Sequence, residues 1–169
     1  PAAISRLHKT YGFAVLQDGQ EVFVLGSRLK GSLPGDKVLI KLSAHPKGNL
    51  PEGEVRRIVE ESDNEYPGVL EVNSQGSFFV PDALGGFALR VMGAKCGAEN
   101  GDKVTARIIR RGDSHRDHLA EITACYGSSE NAAACAQAVI AAAGISPEFP
   151  AAVLDEARFL EHRGIPERE

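Results

Sequence analysis

Lys9 to Val24, K-T-Y-G-F-A-V-L-Q-D-G-Q-E-V-F-V, is the stretch on which the reading of this chain turns. Tyr11, Phe13 and Val15 alternate with small residues, Gln17-Asp-Gly-Gln20 interrupts the run, and Phe23 returns between Val22 and Val24. That spacing predicts a β-hairpin with the first three residues on one face and Phe23 brought back beside them. An ordinary core would gain nothing from the glycine and lysine next to these rings. A stacking surface would, because Gly12 lets a flat base approach the backbone and Lys9 stands where a phosphate would lie.

Outward from the hairpin, strand signals continue. Ile4 to Lys9 leads into it, Gly26 to Gly31 reads as a polar turn, Leu33-Pro-Gly-Asp-Lys-Val-Leu-Ile-Lys41 as a turn feeding a fourth strand, and Glu54 to Glu60 as a fifth. Ser43 to Pro51 reads as an exposed loop. The same order then recurs at an offset of about 65 to 67 residues. Gly76-Ser-Phe-Phe-Val80 answers Gly12 to Val15, and Phe87 to Val91 answers the Phe23 strand. Gly101-Asp-Lys-Val104 repeats Gly35-Asp-Lys-Val38 letter for letter, and Ala120-Glu-Ile122 answers Gly53-Glu-Val55. Four landmarks in order predict two tandem five-stranded barrels, residues 1–62 and 65–127, joined by an acidic connector. Residues 128–169 change texture. Asn131 to Ala143 is an alanine-rich helix stopped by Gly144, and a second helix runs to about His162 with Val153, Leu154, Ala157 and Leu160 on one stripe. The last residues read as the start of a linker.

Composition bounds the function. The chain has 169 residues and a formal charge of −4, yet residues 1–60 hold nine Lys and Arg against six Asp and Glu, so the basic surplus lies with the aromatic hairpin. Three cysteines without a paired spacing read as reduced thiols, and no apolar run suits a membrane span or signal core, which makes the cytoplasm the expected location.

The pattern Lys9-x-Tyr11-Gly12-Phe13-x-Val15 followed by Val22-Phe23-Val24 resembles the paired aromatic strands of cold-shock domains, OB-type barrels that bind single-stranded nucleic acid. Thr10 stands where that family more often has glycine, and Leu25 where its second motif usually has histidine. Two such barrels followed by a helix with Phe149-Pro150, Val153-Leu154 and Glu156-Ala157 resemble the N-terminal part of bacterial exoribonucleases of the ribonuclease II and ribonuclease R family. The resemblance implies a region without catalytic residues or cofactor of its own. It would guide single-stranded RNA to a 3′-to-5′ exonuclease domain beyond Glu169, where aspartates hold magnesium.

The candidate RNA-binding residues are the rings Tyr11, Phe13 and Phe23, with Lys9, Arg28, Lys30, Lys37 or Lys41 meeting phosphates. In the second copy one of the consecutive Phe78 and Phe79 is core and the other, taken as Phe78, a base platform, with Arg107 and the neighbouring Arg110 and Arg111 as phosphate candidates. Arg110 to His118 reads as a solvated hairpin loop rather than a metal site, and His8, His45 and His162 as isolated histidines. Cys135 reads as a small buried residue. The alternative from another class is an OB-fold protein-interaction module docking a partner domain through the same faces or the apolar helical stripe.

Overall fold

The structure, a computed structural model, describes residues 1–44, 50–146 and 151–163, with side chains as far as residue 161. Strands β1 (Ala2–Leu7), β2 (Tyr11–Leu16), β3 (Glu21–Leu25), β4 (Lys37–Leu42) and β5 (Glu52–Glu60) close into a barrel in the order β1-β2-β3-β5-β4. β3 and β5 run parallel and every other pair is antiparallel. Strands β6 (Glu65–Asn73), β7 (Gly76–Pro81), β8 (Leu89–Val91), β9 (Asp102–Arg110) and β10 (Leu119–Ser128) form a second closed barrel with the same connectivity, β8 and β10 being its parallel pair. Helices α1 (Ala132–Ala142) and α2 (Ala151–Arg163) follow. The expected fold class is the observed one. The expected loop from Ser43 to Pro51 lies largely outside the described residues, as do His45 and Pro150.

In β2 the usual hydrophobic alternation is inverted: the interior takes the small residues and the exterior takes the rings. Gly12 and Ala14 point inward, and a Cβ on Gly12 would lie 2.7 Å from Leu7 Cδ2 and 3.2 Å from Leu29 Cδ2. The interior is already filled by Ile4, Leu29, Leu33, Val22, Val24, Val38 and Val55, all essentially without solvent contact. Tyr11, Phe13 and Phe23 therefore have only the outer face available. The turn joining β2 to β3 is closed locally: Asp18 Oδ1 accepts from the Gln20 amide at 3.0 Å, and Gly19 takes the positive φ of 85° that this turn requires.

The repeated Gly-Asp-Lys-Val has a physical meaning. Gly35 and Gly101 adopt nearly the same positive φ, 91° and 89°. Their amides donate to Ile4 and Leu70, both at 2.8 Å. The following aspartate folds back on the amide three residues earlier: Leu33 N–H to Asp36 Oδ2 at 2.7 Å, and Glu99 N–H to Asp102 Oδ2 at 2.8 Å. The same tetrapeptide thus enters the fourth strand of each barrel through the same turn.

Asp36 does more than its counterpart. Fully buried, it also accepts the Ser62 amide and hydroxyl on Oδ1, at 2.8 and 3.0 Å, and Arg111 Nη1 on Oδ2 at 2.6 Å. Arg111 belongs to the second barrel, and its other arm donates to the Ser62 carbonyl at 3.0 Å. Asn64 and Tyr66 donate to the Pro34 carbonyl, so the connector is stitched to the first barrel as it enters the second. Burial raises the pKa of the Tyr66 phenol above 10.0.

Helix α1 starts at Asn131, whose side chain accepts from the Ala133 amide at 2.9 Å. Ala134 and Ala138 are buried where α1 meets β6, β9 and β10, close approach being possible because the helix offers methyl groups. Gly144 ends it at a φ of 67°, as expected. The side chains of α2 from 151 to 161 are all exposed, including the expected stripe of Val153, Leu154, Ala157 and Leu160.

Removing Arg111 strands a buried carboxylate, so Arg111→Ala is expected to destabilise the protein by about 3–5 kcal/mol. Arg107→Ala, which breaks an exposed pair with Glu121, is expected to leave stability nearly unchanged. Urea unfolding of both variants checks this; equal losses would contradict the assignment of Asp36 and Arg111 as the joint between barrels.

Candidate nucleic-acid interface

Antiparallel register sets Phe13 directly opposite Phe23, and period two places Tyr11 on the same face. All three rings are half-exposed. Tyr11 lies 5.6 Å from Phe13 and 5.4 Å from Phe23, and Phe13 lies 5.9 Å from Phe23, so edges and faces alternate across one patch. Two residues that sequence reasoning did not place here join it. His8 stacks on Tyr11 at 4.6 Å, and the Arg6 guanidinium sits 4.2 Å above the Phe13 ring. The signal for His8 was its position in the tight β1–β2 turn, where its amide donates to the Tyr11 carbonyl at 2.7 Å and turns the imidazole onto the strand. Arg6 is held in turn by Glu21, at 2.9 Å.

The cations named from sequence divide into two groups. Phe23, Arg28, Glu52 and Gly53 line a groove of about 220 Å³, and Arg28, Gly53 and Lys41 line an adjoining one of about 310 Å³. Because Arg28 and Gly53 belong to both, the rings continue into a path flanked by Arg28 and Lys41. A side chain on Gly53 would meet Ile40 at 2.8 Å and Val22 at 3.0 Å, so the barrel interior beneath this path admits only glycine there. Lys9 is exposed, next to His8 in the β1–β2 turn. The other cations have partners elsewhere. Lys30 donates to the Arg56 carbonyl at 3.4 Å, and Lys37 pairs with Glu60 at 2.7 Å beside Ala3, on another side of the barrel. Arg107 is chelated by Glu121 at 2.8 and 3.1 Å, a hydrogen-bonded pairing that raises its pKa further above the ordinary guanidinium value.

The second barrel keeps the scaffold and loses the patch. Phe79 is fully buried and Phe78 faces outward, opposite Arg90 and Glu71. By register, Gly76, Phe78 and Arg90 occupy the places of Tyr11, Phe13 and Phe23, leaving one ring of three.

The segment from Arg110 to His118 departs from its expected reading as a solvated loop. Asp113, Ser114, Arg116 and Asp117 are exposed, but His115 and His118 are buried, and Arg111, named beside Arg107 as a phosphate candidate, is taken by Asp36. His115 Nε2 lies 2.8 Å from the Ser32 carbonyl, and its ring stacks on Phe87 at 5.4 Å and 15°. His118 Nδ1 accepts from the Gly112 amide at 3.0 Å. The loop was misread because the surface covering it, residues 31 to 36, lies some eighty positions earlier. Desolvation lowers the pKa of both histidines, that of His118 to about 4, with His115 and Arg111 adding to the effect and Gly31 and Asp36 opposing it. Between the barrels lies a cleft of about 610 Å³ reaching from His8 and Lys9 to Phe87 and the 113–117 turn. Among the described residues no group of three or more His, Cys, Asp and Glu is placed to hold a metal ion, and no helix is long and apolar enough to cross a membrane.

Two closed barrels with this strand order, the first bearing an outward aromatic patch and a basic rim, define a tandem OB-fold protein. Residues 4–58 match the family model of the ribonuclease B OB domain. Over 94–95% of its length the chain has the fold of a region of ribonuclease R. Against the apo form of Mycoplasma genitalium RNase R the TM-score is 0.71 at 18% identity, covering 94% of this chain and 26% of the other. Against the same enzyme in complex with ribose-methylated single-stranded RNA it is 0.70 at 20% identity, covering 95% and 27%. The yeast pseudonuclease Ssd1 follows at 0.64 and 11% identity, covering 82% and 24%. The chain therefore spans about a quarter of the length of these proteins. No curated protein matches it.

Neutral His115 and His118 make the joint between barrels sensitive to acid. Below pH 6.5 the unfolded chain takes up a proton that the folded His118 refuses until about pH 4, so stability is lost as pH falls through that window. The expected loss attributable to His118 between pH 7.5 and pH 5 is about 2 kcal/mol. Urea unfolding of wild type and His118→Gln at both pH values checks it: the variant should show a pH dependence weaker by that amount.

Proposed function

We propose that this chain is the RNA-binding region of a ribonuclease R or ribonuclease II-like 3′-to-5′ exoribonuclease, holding single-stranded RNA and directing it to a catalytic domain. The observation that carries this is the outward patch of Tyr11, Phe13 and Phe23, half-exposed and within 5.4 to 5.9 Å of one another, continuing into the groove of Arg28 and Lys41. Every base has a π-face, so stacking on such rings is tolerant of sequence and is worth about 1–3 kcal/mol per base. Lys9, Arg28 and Lys41 supply the charge that draws in phosphates, with Arg6 held over Phe13. Lys30, Lys37 and Arg107 would reach RNA only by leaving their present partners, and Phe78 offers the second barrel a single ring.

In this reading the cytoplasm is the place of action, and hydrolysis with its magnesium belongs to the catalytic domain. RNA-bound M. genitalium RNase R, with the same fold in this region, supports the choice of ligand. A second function has its own observation. Val153, Leu154, Phe159 and Leu160 are exposed on α2, an arrangement suited to docking that catalytic domain.

Fluorescence anisotropy with a labelled oligo(U) at increasing salt tests the first reading. Affinity should fall as salt rises, and Tyr11→Ala with Phe13→Ala should weaken binding by at least about tenfold at any salt. Unchanged affinity in the double variant would sink it. For the second, Phe159→Asp with Leu160→Asp should abolish capture of the separately expressed catalytic domain while oligo(U) affinity stays as in wild type; capture that survives excludes α2 as the docking element.

A further inference from the structure

We propose that the cleft between the two barrels seats one nucleobase of the bound strand and selects guanine at that position, an assignment that rests on the RNA-binding reading above. The cleft, about 610 Å³, falls within the roughly 300–1,000 Å³ of ordinary ligand pockets. It adjoins the aromatic patch through His8, which both stacks on Tyr11 and lines the cleft. A strand lying over Tyr11 and Phe13 has its next base delivered to this opening.

Flat surfaces wall the cleft at both ends. His8 belongs to the first barrel. From the second, Phe87 lines the opposite side, half-exposed and backed by the parallel ring of His115, which is fixed on the Ser32 carbonyl. Because burial keeps His115 neutral, the pair presents an uncharged plate on which a base can stack.

The rim carries the discriminating chemistry. Asp113, Arg116 and Asp117 line the cleft from the second barrel and Lys9 from the first. Lys9 and Arg116 balance the two carboxylates on the cleft lining, so the cleft has no net charge to draw phosphates inward, and Asp113 and Asp117 are left to meet the edge of a base. A carboxylate accepts N–H groups, and guanine alone among the four RNA bases offers two adjacent donors, N1–H and the N2 amino group, to one carboxylate. Uracil sets two carbonyl oxygens against it, while adenine and cytosine each offer only an amino group beside an acceptor nitrogen. The turn bearing the aspartates is preorganised. The Asp117 amide donates to the Ser114 carbonyl at 2.9 Å, and the Gly112 amide just before the turn is held by His118 at 3.0 Å.

The test uses the 169-residue chain and oligo(U) of about eight nucleotides, the site size of OB folds, with a single guanosine moved through each position. Wild type is expected to bind tightest with guanosine at one position, by about tenfold over oligo(U), the discrimination of a good paired hydrogen bond to a base edge. Asp113→Ala with Asp117→Ala should remove that gain and leave oligo(U) binding within twofold, and Phe87→Ala should reduce the gain. Equal affinity for all positions, or the same gain from adenosine or cytidine, overturns the guanine seat while leaving the aromatic patch in place. Oligo(U) binding that is absent, or indifferent to Phe13→Ala, overturns the underlying RNA-binding reading and the seat with it.

Discussion

A single carboxylate without solvent contact, Asp36, sets the geometry of the whole molecule. It closes the turn into β4, receives the connector through Ser62, and takes the guanidinium of Arg111 from the second barrel. A buried charge tolerates no vacancy among its partners, so these three segments have one mutual arrangement. The cleft between the barrels, and the distance from the aromatic patch to Phe87, follow from it.

Comparison of the two barrels shows how duplication permits divergence. Asp102 makes the same turn as Asp36, and Gly101 the same positive φ as Gly35, because entry into the fourth strand demands them. Outward-facing positions carry no such demand. Tyr11, Phe13 and Phe23 have become Gly76, Phe78 and Arg90 in the second copy, while the inward Val24 and Gly53 have the equally apolar counterparts Val91 and Ala120. The scaffold persists and its outer face is free to change use.

The first barrel puts its largest rings where water can reach them, and the reason lies inside. A narrow five-stranded barrel filled by Ile4, Leu29 and three strands of valine has room at β2 only for Gly12 and Ala14. Aromatic surface left half-exposed is costly in isolation, and edge-to-face contacts among the three rings, with His8 and Arg6 laid over them, recover part of that cost. What remains uncovered is flat, apolar and bordered by cations.

Both barrels were legible in the chain, since alternation of period two, the four-residue turn at Gln17 and the doubled Gly-Asp-Lys-Val act over a few neighbouring residues. So was the patch of Tyr11, Phe13 and Phe23, because register follows from the hairpin. His8, Arg6 and the division of the lysines into free and paired were not, for these depend on which surfaces meet after closure. The turn from Arg111 to His118 shows the limit most clearly: polar and charged by composition, it reads as solvated, and it is buried because the first barrel's residues 31 to 36 cover it. By itself the sequence determined two barrels and an exposed aromatic face. Only the tertiary structure decided that the barrels would share a buried ion pair and enclose a cleft, because burial is a property of surfaces brought together from distant parts of the chain.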